Sequence, residues 1–130
     1  MQSLSFDHLA LAVKDVTASV AFYKAVFGLS EIENTASNSA TRWLSLVEGK
    51  ALHLIPRPEA EIKTHKAIHF AMALDDIDRF ILHLKSLEIN FYDWPGTADQ
   101  YNIREDGIKQ LYFQDPNGYW IEVNNANGVG

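Results

Sequence analysis

Hydrophobic and polar side chains alternate with a period of two in two stretches of the chain, which predicts two β-strands. In residues 8–13, Leu9, Leu11 and Val13 fall on one face, and a histidine and two alanines fall on the other. Residues 69–74 repeat this arrangement, with a histidine and two alanines opposite phenylalanine, methionine and leucine. Because large aliphatic groups share one face of each strand, we expect that face to pack on a helix and the other to leave room for a ligand.

The spacing of apolar residues becomes helical after each strand. Asp15 or Thr17 can cap the first predicted helix, and Gly28 ends it. Asp75 or Asp76 can cap the second. The apolar stripes consist of Val20, Tyr23, Val26 and Phe27 in the first helix and Ile77, Phe80, Ile81 and Leu84 in the second.

Three shorter strands are predicted after each helix, so that each copy has the order βαβββ. They are expected at about 30–36, 41–47 and 51–56 in the first copy and at about 90–93, 109–114 and 119–124 in the second. Gly49 and Gly118 occupy the last turn of each copy, and aligning them leaves about eight extra residues, expected between Trp94 and Lys109. Such a repeat indicates two copies of one module, about 4–60 and 65–125, within a single domain of 130 residues.

Composition narrows the classes of function. A net charge of −6 and a pI near 5.2 argue against nucleic acid and anionic membranes as partners. The chain has no cysteine, so a metal would have to be held by His, Asp or Glu. No secretory pattern and no apolar run of membrane-spanning length is visible, and the expected location is the cytoplasm.

Four side chains at two pairs of related positions form the candidate site. His8 and His69 open the two repeated strands, and the alignment of the last turns places His53 on Glu122. A lone histidine on a strand is more often packed or solvated than a ligand, but all four residues are in phase with the repeat. Imidazoles together with a carboxylate suit a divalent first-row metal.

Other polar residues are weaker candidates. Arg42 and Arg104 can bind a carboxylate or phosphate of a substrate, and a surface ion pair is an equal alternative for each. Tyr112 can donate its phenol to a substrate or pack in the core. His65 and His83 fall outside the repeat, and we expect them at the surface.

Four segments of the chain resemble the vicinal oxygen chelate superfamily, which includes glyoxalase I, fosfomycin-resistance thiol transferases and extradiol dioxygenases. They are Asp-His-Leu-Ala-Leu-Ala-Val at 7–13, Ala-Phe-Tyr-Lys-Ala-Val-Phe-Gly-Leu at 21–29, His-Phe-Ala-Met-Ala-Leu at 69–74 and Tyr-Phe-Gln-Asp-Pro-Asn-Gly-Tyr-Trp-Ile-Glu-Val at 112–123. The last segment is the most specific. The resemblance implies an α+β fold in which two βαβββ modules form a cupped, mostly antiparallel sheet with helices on the outside.

The resemblance also implies a site. A divalent metal, Zn, Ni, Mn or Fe, would be held by His8, His69 and Glu122, with His53 at a variable fourth position that is Glu or Gln in glyoxalase I-like members. Members act on small substrates whose two adjacent oxygens chelate the metal, and many short chains of this kind form homodimers.

The leading interpretation is therefore a metal-dependent lyase or isomerase resembling lactoylglutathione lyase, with Glu122 as ligand and catalytic base. The expected partner is a small-molecule substrate, with a thiol conjugate as one candidate. A thiol transferase of the fosfomycin-resistance kind is an alternative function, although Ala10 stands where those enzymes carry threonine. An extradiol dioxygenase and a metal-free small-molecule binding protein are the remaining alternatives.

Overall fold

The structure, a computed structural model, describes residues 2–128 and contains two compact units, one ending at Ile62 and the other beginning at Lys63. Each unit has the predicted order βαβββ, which confirms the α+β class. The first unit contains β1 (His8–Val13), α1 (Val16–Phe27), β2 (Glu31–Ile32), β3 (Arg42–Ser45) and β4 (Ala51–Pro56). The second contains β5 (His69–Ala73), α2 (Ile77–Ser86), β6 (Asn102–Ile103), β7 (Lys109–Gln114) and β8 (Trp120–Asn124). Across these residues, neither helix has the length and apolar character needed to cross a membrane.

Each unit has one four-stranded sheet of the same topology. The strand order is β1-β4-β3-β2 in the first unit and β5-β8-β7-β6 in the second. The first and last strands of each module pair in parallel, and the other pairings are antiparallel. The parallel pair follows from the helix, because a crossover connection lets a later strand return in the same direction.

The predicted difference between the two faces of each sheet is confirmed. In the first unit, Leu11 pairs with Leu54 and Leu44 pairs with Leu52, so that their side chains share one face; all four are buried. Tyr23 of α1 is fully buried as well. Removal of this apolar surface from water is the main force that holds the helix to the sheet.

The second unit repeats this arrangement. Leu111 pairs with Val123 and Phe113 pairs with Ile121, and all four side chains are fully buried. Leu84 of α2 is also fully buried. The opposite face of the sheet is left to the histidine, the alanines and the polar residues of β7 and β8.

The helix boundaries follow the predicted capping signals. Asp15 accepts a hydrogen bond of 3.0 Å from the backbone N–H of Ala18, and Asp76 accepts one of 3.0 Å from that of Arg79. Gly28 ends α1 in the left-handed conformation with φ 66°. Each cap satisfies backbone groups that have no partner within the helix.

The strand predicted over 30–36 is too long. Only Glu31 and Ile32 pair with β3, and the chain then turns around Asn34. The side-chain oxygen of Asn34 accepts backbone hydrogen bonds from Ala36 (3.0 Å) and Ser37 (3.2 Å). An asparagine that bonds its own backbone in this way competes with strand pairing.

The strand predicted over 90–93 is reduced to two isolated bridges of Tyr92, one with Ala98 and one with Tyr112. Tyr92 pairs with Tyr112 through two backbone hydrogen bonds of 2.8 Å. The second strand of this module is instead β6, which pairs with Lys109 and Gln110, and the extra residues of the second copy precede it. We call residues 93–103 the inserted segment.

Candidate metal centre

His8 and His53 lie on the open face of the first sheet. Ala10 pairs with His53 on the neighbouring strand, and His8 lies two residues before Ala10. The two imidazole rings stack with centroids 4.0 Å apart and planes inclined by 12°. Trp43 pairs with His53 from β3 and stacks on it with centroids 4.1 Å apart and planes inclined by 1°. His53 therefore forms the middle of a three-ring stack.

The tautomer of His8 is fixed by its neighbour in the chain. Its Nδ1 lies 2.7 Å from Oδ2 of Asp7. Because an ionised carboxylate only accepts hydrogen bonds, Nδ1 must carry the proton, and in the neutral ring Nε2 keeps its lone pair. The hydrogen bond to His8 is also the main cause that lowers the pKa of Asp7.

The His53 ring has a different electrostatic environment. Burial is the main cause that lowers its pKa, and the neighbouring charge of His8 lowers it further. Asp7 acts in the opposite direction but does not outweigh them. A His53 pKa below its ordinary value of about 6.5 keeps the ring neutral at neutral pH.

His69 and Glu122 have the equivalent positions in the second sheet. Ala71 pairs with Glu122, and His69 lies two residues before Ala71. Nδ1 of His69 donates to the backbone oxygen of Lys66 at 2.9 Å, since a carbonyl can only accept. In the neutral ring Nε2 then keeps its lone pair; this nitrogen lies 3.4 Å from Oε1 of Glu122 and forms an ion pair with it when the ring is protonated.

Glu122 is only 5% exposed, and polar side chains surround it. Its Oε1 accepts from the Gln110 amide (3.0 Å) and the Tyr112 phenol (2.9 Å), and its Oε2 accepts from the Asn124 amide (2.8 Å). Burial alone would raise the pKa of this carboxyl, but the three hydrogen bonds, aided by the charge that His69 carries when it is protonated, hold the pKa below its usual value. Glu122 is therefore ionised at neutral pH.

A pocket of about 400 Å³ opens beside this carboxylate. The inserted segment forms one wall of the pocket: Asn102 accepts from the backbone N–H of Trp94 (2.9 Å) and donates to the Gln110 amide oxygen (2.9 Å). The Trp94 side chain is 46% exposed. The lining residues are His69, Trp94, Asn102, Gln110, Tyr112 and Glu122.

Lys66 supports the inserted segment and was not predicted as a site residue. Its ammonium donates to the backbone oxygens of Asp93 (2.7 Å) and Trp94 (2.8 Å). It also lies 5.1–5.4 Å from the ring centroids of Trp94, Tyr112 and Trp120. Burial is the main cause that lowers its pKa. Nothing in the alternation around His69 distinguishes this lysine from a solvated one, because its partners are distant in sequence.

The three predicted substrate-contacting residues have different surroundings. Tyr112 lines the pocket. Arg42 forms a two-pronged ion pair with Glu31, with both N–O distances 2.7 Å, and Arg104 pairs with Asp106 at 2.5 Å. Each arginine was expected either to bind a substrate anion or to form a surface ion pair, and the structure shows the ion pair in both cases. The two remaining histidines, His65 and His83, are exposed.

The donor chemistry fits a divalent cation. His8 and His69 each present an Nε2 whose lone pair is fixed by an oxygen at Nδ1, and Glu122 is ionised. Within the part of the chain that the structure describes, no group of three or more His, Asp or Glu side chains is drawn together in the arrangement of a metal site. Each unit thus provides a pair of candidate donors.

Comparison with known proteins identifies the family. The family model of the Glyoxalase/Bleomycin resistance protein/Dioxygenase superfamily matches residues 5–123, and the chain therefore belongs to this superfamily. It is 32% identical to the metallothiol transferase FosB of Lysinibacillus sphaericus (strain C3-41), over 91% of this chain and 79% of the relative. It is 26% identical to Glyoxylase I 4 of Arabidopsis thaliana, over 96% of this chain and 72% of the relative.

A solved structure confirms the fold. The oxidase ChaP-H2 superimposes with a TM-score of 0.78 at 20% identity, covering 95% of this chain and 94% of that one. The resemblance inferred from the four sequence segments is thus confirmed at the level of superfamily and fold.

Proposed function

We propose that the chain is a metal-dependent lyase or isomerase, similar to lactoylglutathione lyase, acting on a small substrate with two adjacent oxygen atoms. One observation carries the proposal: in both units a strand histidine has its Nδ1 held by an oxygen, so that Nε2 of the neutral ring has a lone pair that a metal could bind. This oxygen–histidine arrangement is typical of metal-ligating histidines. Membership of a superfamily that includes glyoxalases supports it.

In this proposal His8, His69 and Glu122 hold one divalent ion, Zn, Ni, Mn or Fe, with His53 as the fourth position implied by the family pattern. Two imidazole nitrogens and a carboxylate oxygen are suitable donors for each of these ions. The bound ion would supply Lewis acidity at the two substrate oxygens.

Glu122 is better suited to ligation than to proton abstraction. Hydrogen bonds from Gln110, Tyr112 and Asn124 stabilise its charged form and hold its pKa low. A low pKa makes a carboxylate a weak base. We therefore propose ligation as its main role and treat its predicted role as catalytic base as secondary.

The pocket beside Glu122 is the proposed substrate site. The Trp94 and Tyr112 rings offer flat apolar surfaces, and the Asn102 amide offers a polar group. Burial and the bond to Glu122 raise the pKa of Tyr112, which keeps the phenol protonated. Arg42 and Arg104 would bind a substrate anion only in competition with their carboxylate partners.

Metal removal and restoration test the proposal. Chelator-treated protein should lose turnover of a 2-oxoaldehyde–thiol adduct and regain it with one of the four ions. His8→Ala and Glu122→Gln should each lower the metal content per chain at least about tenfold, whereas His83→Ala, an exposed histidine on α2, should not. Full metal content in both site variants would contradict the proposed ligand set.

A thiol transferase is the second candidate, favoured by the 32% identity to a metallothiol transferase. The same panel should include fosfomycin with a series of thiols under each ion. Adduct formation, together with resistance in a sensitive host, would select this function over the first. Turnover of the oxoaldehyde adduct alone would reject it.

The family pattern further leads us to propose a homodimer. Light scattering gives the mass of the assembly, and the ratio of metal to chain gives the number of sites. A monomer with one bound ion per chain would contradict the dimer without affecting the ligand set.

A further inference from the structure

We propose that His53 is a positioning residue that holds the imidazole of His8 by stacking, and that it does not ligate the metal. The inference rests on the proposed metal site and departs from the four-ligand pattern that the family resemblance implies. It is carried by the three-ring stack of Trp43, His53 and His8.

Stacked imidazoles cannot share an ion. The lone pair of an imidazole nitrogen lies in the ring plane, and metal ions bind along it at about 2.0–2.1 Å. The planes of His8 and His53 are inclined by only 12°, with centroids 4.0 Å apart, so their lone pairs lie in two separate and nearly parallel planes. An ion placed in the plane of His8 at bonding distance therefore lies well outside the plane of His53.

The other face of His53 is also covered. Trp43 pairs with His53 across the β3–β4 ladder, and the two rings are parallel to within 1°. Rotation of His53 toward an ion held by His8 would break both stacks. The backbone pairing of β3 with β4 places the Cα atoms of Trp43 and His53 opposite each other. The stack therefore depends on the register of these two strands.

The residues around Glu122 in the second unit differ from those around His53 in the first, and the difference favours stacking of His53. Glu122 is held by the Tyr112 phenol and the Asn124 amide. Trp43 has the place of Tyr112 beside His53, and Ile55 has the place of Asn124, two residues after His53. The first unit thus has an indole ring and an aliphatic side chain where the second has the phenol and amide that donate to Glu122, which suits a packed ring.

Imidazole ¹⁵N spectra of the full chain, with and without Zn²⁺, test this proposal directly. We expect the Nε2 signals of His8 and His69 to shift on Zn²⁺ binding and those of His53 to stay unchanged. A shift of a His53 nitrogen together with the other two would overturn the inference and leave the proposed function intact. If no histidine signal shifts at saturating Zn²⁺, the metal site is wrong and the inference fails with it.

Variants at His53 give a second readout. His53→Phe keeps a flat ring and should bind Zn²⁺ within about twofold of the parent, whereas His53→Ala removes the ring and should bind about tenfold more weakly. His53→Gln, which keeps a possible ligand but loses the stack, should resemble the alanine variant. The inference is overturned if His53→Phe, folded by circular dichroism, loses as much Zn²⁺ affinity as His8→Ala, or if His53→Gln binds as the parent does.

Discussion

The phenol of Tyr112 donates a hydrogen bond of 2.9 Å to Oε1 of Glu122, and both side chains are buried. The bond joins neighbouring strands, because Tyr112 and Glu122 are directly paired in the β7–β8 ladder. It stabilises the charge of Glu122 in a place where water cannot. Burial, together with this bond, raises the pKa of the phenol.

Replacing Tyr112 with Phe should destabilise the fold. The substitution leaves the ring but removes one of the donors to a buried carboxylate, a loss of about 1.5–3 kcal/mol in the free energy of unfolding. Urea denaturation at pH 7 measures it. Tyr92→Phe is the control, since Tyr92 bonds Tyr112 only through the backbone and packs near Trp120, and it should cost less than about 1 kcal/mol. Equal losses of unfolding free energy in the two variants would show that the hydrogen bond to Glu122 contributes no more to stability than the hydroxyl of Tyr92 does.

Gly28→Ala should weaken the end of α1. Gly28 has φ 66°, a conformation that costs a residue with a Cβ about 1–2 kcal/mol. Nothing lies within 4 Å of the added Cβ, so the cost comes from the backbone and not from a clash. Gly28→Asn should cost clearly less, because asparagine tolerates this conformation. Thermal unfolding of the two variants gives the comparison, and an alanine variant as stable as the parent would refute the backbone explanation.

Much of the fold was predictable because each module encodes it locally. The alternation around His8 and His69, the capping aspartates and Gly28 all act over a few residues, and all have the predicted effect. The pairing of Ala10 with His53 and of Ala71 with Glu122 confirms the alignment of the two copies.

The remaining features depend on partners distant in the chain. The carbonyls that hold the Lys66 ammonium belong to the inserted segment, whose path no periodicity reveals. The stacking of Trp43 on His53 depends on the register of β3 and β4, which the residues next to Trp43 in the chain do not reveal. Glu31 and Arg42 likewise meet only because β2 and β3 fold together.

Glu31 should contribute a pH-dependent part of the stability. Its hydrogen bond with Arg42 is the main cause that lowers its folded-state pKa below the ordinary value. A lowered carboxyl pKa adds stability above the unfolded-state pKa of about 4.3, and this contribution is lost as the pH falls through the folded-state pKa. Glu31→Gln should therefore be less stable than the parent at pH 7, by up to about 1 kcal/mol because the pair is partly exposed, and equal to it near pH 2. Urea titrations across this range measure the difference, and a gap that persists at the acid end would contradict the ion pair as its cause.

Lys66→Met should loosen the wall of the pocket. The variant keeps an apolar chain beside the aromatic rings but removes the ammonium that binds the backbone oxygens of Asp93 and Trp94. Each such bond involves a charged donor, and we expect the unfolding free energy to fall by about 1.5–3 kcal/mol. Amide hydrogen exchange should rise mainly in the inserted segment, because that is where the freed carbonyls lie. Lys85→Met on the exposed part of α2 is the matched control and should change neither quantity. Unchanged exchange in residues 93–103 of the Lys66 variant would show that the segment is held by its own contacts, such as the Asn102 bond to the Trp94 backbone, without help from the lysine.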